Sequence, residues 1–145
     1  LNLSSFLSKV LIKRVDSISM STNARIGIEN PDGTIDSIYC HFDAYDHYDI
    51  GAGYLLKTYY LDESKVRELI ALGDISYLAE KIGEKHSFSN PTKGWTLAYG
   101  RDGEEENTSA IRVSSRDEYK EYDEPFLYLF TIHKEWVRIR RQGEE

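Results

Sequence analysis

Residues 24–42 constrain the fold more than any other stretch of this chain. Ala24, Ile26 and Ile28 alternate with Arg25, Gly27 and Glu29, the two-residue period of a half-buried strand. Asn30-Pro31-Asp32-Gly33 follows, in which the proline sets the second turn position and the glycine takes the left-handed conformation that closes the turn. Residues 34–42 are rich in β-formers, with Ile38, Cys40 and Phe42 on one face and Tyr39 and His41 on the other. The two runs predict a β-hairpin. A second hairpin is predicted at the other end. Pro125 precedes Phe126-Leu127-Tyr128-Leu129-Phe130, and a turn around residues 132–135 leads into Trp136-Val137-Arg138-Ile139-Arg140.

Helical spacing occupies the middle. Asp49 is the expected N-cap of a first helix carrying Ala52, Leu55, Leu56, Tyr59 and Tyr60 on its apolar stripe. A second helix starts near Asp62, presents Val66, Leu69, Ile70 and Leu72, and ends at Gly73. Asp74 is read as opening a third short helix with Ile75, Leu78 and Ile82, stopped by Gly83. Trp95, Leu97 and Tyr99 alternate as a further strand, and Ile111 and Val113 suit a short one. Ser114-Ser115 is placed to cap a helical turn through Tyr119. Residues 101–108 are charged and are expected to form an exposed loop, and residues 142–145 to fray. The expectation is an α+β domain: an antiparallel sheet of about four to five strands with two to three central helices on one face.

At 145 residues the chain suits one domain, hiding roughly two-thirds of its extended surface on folding. The single cysteine excludes an internal disulfide and any cysteine-rich metal site. Residues 1–19 read as an extension. Leu3, Phe6, Leu7, Val10 and Leu11 keep helical spacing, but the run is too short to span a membrane. Its charges Lys9, Lys13 and Arg14 fall within or after the apolar run, unlike a secretory signal. Met20-Ser21-Thr22-Asn23 reads like a start, so the single α+β domain is assigned to residues 20–145.

The formal charge is −7, and since residues 1–18 carry +2, the remainder carries −9. That sign disfavours direct nucleic-acid binding, which needs cations to displace phosphate counterions. Trp136 with Arg138 and Arg140 is the one stretch that resembles a stacking platform beside phosphate contacts, and also an ordinary edge strand. Acidity favours instead a protein partner with a basic surface. Tyr45, Asp46, Tyr48 and Asp49 form the preferred protein-binding patch, because aromatics beside acids offer rigid contact area with polar handles. Asp102, Glu104 and Glu105 extend the acidic surface.

The chemical alternatives are thinner. His41, Asp43 and His47 mix ligand types that suit a divalent cation, yet their spacing matches no metal motif. His41 with Asp43 would make an oriented base, and Arg25 or Arg101 an anion anchor, but no nucleophile accompanies them. Cys40 sits on an inward strand face, where thiols are inert. Gly27 is expected to admit a close-packed helix or aromatic side chain. No catalytic set, cofactor or resident metal is assigned.

Arg25-Ile26-Gly27-Ile28-Glu29-Asn30, Asp32-Gly33 and Ile38-Tyr39-Cys40-His41-Phe42-Asp43 together resemble a family of small proteins encoded by bacteriophages and prophages. That family's pattern runs I-G-I-E, D-G, then Y-C-H-W-D-G-Y-P into a helix with paired leucines. Leu55-Leu56, the stretch from Leu69 to Leu78, Ala98-Tyr99-Gly100-Arg101-Asp102 and the final aromatic hairpin continue the likeness across residues 24–140. Phe42, Ala44 and Asp46 depart from it, standing where the pattern has tryptophan, glycine and proline. The resemblance implies a protein acting in the cytoplasm of a bacterial host. The family brings no activity of its own; in that setting the acidic charge and the absent catalytic set point to action by binding a host protein, such as anti-CRISPR-like inhibition of a defence nuclease.

Overall fold

The computed structural model describes residues 22–140. The predicted N-terminal extension and the fraying expected at residues 142–145 lie outside them. The first hairpin forms as its alternation requires. β1 (Ala24–Glu29) pairs antiparallel with β2 (Ile35–Cys40), in register from Ala24 opposite Cys40 to Glu29 opposite Ile35. Gly33 takes φ +90° and donates its N–H to the Asn30 carbonyl at 2.9 Å, closing the turn.

Two helices follow, α1 (Gly51–Tyr59) and α2 (Glu63–Ala71). Asp62 caps α2 by accepting from the Ser64 N–H, and Gly73 turns the chain out of it at φ +79°. The remaining elements are β3 (Ile75–Tyr77), β4 (Leu97–Ala98), α3 (Tyr99–Gly103), β5 (Ile111–Val113), α4 (Arg116–Tyr119), β6 (Phe126–Phe130) and β7 (Trp136–Ile139). Ser115 caps α4 through the Glu118 N–H, as its position before the turn implies.

Three expectations are corrected. The segment read as a third helix contains β3. Ile75, Leu78 and Ile82 have helical spacing, but β2 leaves an open edge that the segment fills. Ile75 and Ser76 carbonyls accept from the His41 and Phe42 N–H groups, and Asp74 accepts from the Tyr39 N–H instead of capping a helix. Each apolar residue is still buried, so burial alone does not separate the two readings. Second, the charged stretch after Tyr99 begins as α3 and buries Asp102. Third, the sheet is larger than expected and mixed. Seven strands are joined in the order β4-β3-β2-β1-β6-β7, with β5 added to β2. β6 lies parallel to β1, Ala24 opposite Phe126 through Ile28 opposite Phe130, because the C-terminal hairpin docks beside the N-terminal one. β3 is also parallel to β2.

The sheet is buried on both faces. Ala24, Ile26, Ile28, Ile38, Cys40, Tyr128 and Phe130 pack under α1 and α2, meeting Leu56, Val66 and Leu69. On the reverse face Ile35, Val113, Leu127 and Leu129 close around Tyr119 of α4. Gly27 makes that second layer possible: a Cβ there would lie 2.9 Å from Ile35 Cγ2 and 3.0 Å from the Tyr119 hydroxyl. The close aromatic contact expected at this glycine is present. Among the described residues no helix is long and apolar enough to cross a membrane.

Candidate protein-binding surface

The chain leaves the sheet after Cys40 and reaches α1 through residues 41–50. Asp43 takes φ +54°, and the next residue, Ala44, is fully buried. Ala44 is held from both sides: its N–H donates to the Thr22 carbonyl at 2.9 Å, and its carbonyl accepts the Tyr128 hydroxyl at 2.6 Å. The loop then caps α1 with its own backbone. The Asp43 carbonyl accepts from the Ala52 N–H and the Tyr45 carbonyl from the Gly53 N–H. Ile50, not Asp49, occupies the N-cap position, so the predicted capping role of Asp49 is corrected. Backbone carbonyls meet the donors that a carboxylate was expected to meet. Gly51 and Gly53 permit the fit, since a Cβ on either would overlap Tyr45 or Asp46.

With its backbone anchored, the loop turns side chains outward. Tyr48 is 85% exposed, Ile50 51% and Phe42 41%. Phe42 was expected to continue the inward face of β2; it points out because the strand ends before it. Asp49 is exposed and lies 2.7 Å from His47 Nδ1. Asp46 accepts from Lys57 Nζ at 3.3 Å. Tyr45 is half-buried, and burial followed by the nearby Asp43 carboxylate raises its phenol pKa. Asp46, His47, Tyr48, Tyr54, Lys57 and Thr58 line an open groove of about 400 Å³. Thus Tyr45, Asp46, Tyr48 and Asp49 come together, with Tyr45 as an anchor and Tyr48 as the projecting group.

The second acidic group divides. Glu104 and Glu105 are exposed, Glu104 at φ +54° with Lys85 at 3.3 Å. Asp102 is corrected from surface to interior. Its carboxylate accepts two hydrogen bonds from Arg101, at 2.9 and 3.1 Å, and the Ala98 and His86 N–H groups at 2.7 and 3.1 Å. Burial pushes its pKa upward, but the Arg101 guanidinium and the two N–H groups outweigh that and hold it low. Arg101 also donates to the Ile82, Gly83 and Thr96 carbonyls. His86 accepts the Thr92 N–H at Nδ1 and donates from Nε2 to Thr96. This polar knot ties residues 82–96 to α3. No sequence spacing announces it, because its members come from separate segments.

The chemical alternatives are not assembled. His41 Nδ1 is 2.8 Å from the Tyr39 hydroxyl, whereas His47 pairs with Asp49. Among the described residues no group of three or more His, Cys, Asp or Glu is placed to hold a metal ion. Cys40 is fully buried, and burial pushes its thiol up to about 12. Trp136 donates its indole N–H to the Tyr60 carbonyl, and the Arg138 guanidinium lies over Phe126, which gives both side chains structural work. Sequence reading missed Ile50 and the outward turn of Phe42. The signal available for Ile50 was its position before the apolar stripe of α1.

No family model matches the chain, and neither the curated proteins nor the solved structures contain a match.

Proposed function

We propose that this is a phage- or mobile-element-encoded protein that acts in the bacterial cytoplasm by stoichiometric binding to a host protein with a basic surface. Inhibition of a defence nuclease, a CRISPR effector among them, is the sharpest form of the reading. The observation that carries it is the loop 42–50. It holds three of the seven exposed large apolar residues among the described residues, Phe42, Tyr48 and Ile50, interleaved with Asp43, Asp46 and Asp49 on an anchored backbone. Exposed aromatics on a rigid support are the residues that dominate protein interfaces, and the acidic flank suits a basic partner. The sequence resemblance supports the phage setting.

The test is affinity capture from a phage-susceptible bacterial lysate with the full chain and a Tyr48→Ala/Asp49→Ala variant, followed by titration of the purified partner. A one-to-one complex, weakened at least about thirtyfold in the variant and falling with salt, is expected. Equal binding by the variant would overturn the site.

A further inference from the structure

The reverse face of the sheet is covered unevenly. Over β1, β6 and β7 it carries Tyr119, Tyr122, Leu127 and Leu129. Beyond Arg25, Tyr39 stands on this face at the C-terminal end of β2, and Tyr99, the first residue of α3 after β4, lies near it; both are half-buried. Asp74 holds the two together, its carboxylate accepting the Tyr39 N–H at 2.9 Å and its carbonyl the Tyr99 N–H at 3.1 Å; burial raises both phenol pKa values, and Tyr99 adds to the rise at Tyr39. Phe88, 40% exposed, stacks on Tyr99 with ring centres 5.6 Å apart. At the other end the Tyr39 hydroxyl meets His41, whose ring contacts Phe42 edge-on at 4.3 Å. The aromatic strip therefore runs from Phe88 to Phe42 and joins the loop described above.

Two observations say what fits it. The first is charge: Asp74 acts on both tyrosines, Glu124 on Tyr39 and Glu105 on Tyr99. The second lies on the covered half of the same face, where the Arg25 guanidinium sits 4.5 Å over the Tyr122 ring. Among the described residues no cation lies over Tyr39, Phe88 or Tyr99. A planar guanidinium stacks on an aromatic face while its N–H groups reach carboxylates at the rim, a combination an ammonium does not match.

We propose that the Tyr39–Tyr99–Phe88 strip is a docking face for arginine side chains of a protein partner. It rests on the binding role proposed above and names the chemistry recognised. The test titrates the ¹³C,¹⁵N-labelled full chain with a peptide bearing three arginines, and with its lysine counterpart, reading aromatic ring shifts. The arginine peptide is expected to shift Tyr39, Phe88 and Tyr99 and to bind at least about threefold tighter than the lysine peptide. Phe88→Ala, on an exposed loop, and Tyr99→Leu are each expected to weaken it about threefold, while Leu61→Ala, at an exposed position between α1 and α2 outside both surfaces, leaves it unchanged. Equal affinity for both peptides would overturn the inference, as would shifts confined elsewhere. Concentration-dependent shifts without peptide would assign the face to a second copy of the chain instead, which also overturns it. The two proposals fail separately: loss of lysate capture with peptide binding intact removes only the loop reading, and the converse removes only this one.

Discussion

At Gly27 a single hydrogen atom decides whether two layers can meet. A methyl group there would press on Ile35 Cγ2 and on the Tyr119 hydroxyl, which donates to the Tyr128 carbonyl at 2.7 Å. Gly27→Ala is expected to cost about 1–3 kcal/mol, the usual range for overpacking, measured by urea unfolding. Cys40 and Tyr60 are among the buried groups, with Tyr119 and Tyr128, that set the alkaline limit. Burial holds Cys40 and Tyr60 near 12 in the folded chain, against ordinary values of about 8.5 and 10. Above about pH 8.5 the unfolded chain releases protons that the folded chain keeps. Their contribution to stability is therefore complete below that pH and is lost as pH rises toward 12. Melting temperature is expected to fall progressively from pH 8.5 to 11, and Cys40 to resist thiol reagents at pH 8 until the chain unfolds. Rapid labelling of the native protein would contradict the buried thiol.

Two helix starts that look alike in sequence differ in how they are capped. Asp62→Ala is expected to cost about 1 kcal/mol, since its carboxylate meets the Ser64 N–H. Asp49→Ala should change stability by no more than about 0.5 kcal/mol, because loop carbonyls cap α1. The polar knot behaves differently again. Asp102→Ala strands the Arg101 guanidinium and two N–H groups, and is expected to cost about 3–5 kcal/mol, with hydrogen exchange accelerating first across residues 84–96. A neutral result would mean that the knot does not hold this loop. Legibility follows the same divide. β1, β2, α2, α4, β6 and β7 were readable because local spacing and local caps decide them. β3 was not: Ile75, Leu78 and Ile82 satisfy a helical period, and only the open edge of β2, supplied by residues far away in sequence, selects a strand.

At the scale of the whole molecule, the two hairpins were visible but their mutual arrangement was not. Nothing local tells β6 to lie parallel to β1; that pairing follows from Tyr128 and Phe130 sharing a core with Ile26 and Ile28. The candidate site was legible to the extent that its chemistry is local. Tyr45, Asp46, Tyr48 and Asp49 cluster in space because they cluster in sequence, whereas Asp102 was misplaced because its burial depends on Arg101, His86 and Ala98. The resulting surface gathers exposed aromatics and acids at one end of the sheet while the buried apolar residues fill two layers.

The most direct test of that surface is photocrosslinking in phage-susceptible cells, with p-benzoylphenylalanine placed at Tyr48 and, as a control, at Ile132, which is 49% exposed outside the loop. The account predicts one discrete adduct with a host protein from position 48 and none from position 132. An adduct from position 132 alone, or none from position 48, would contradict it.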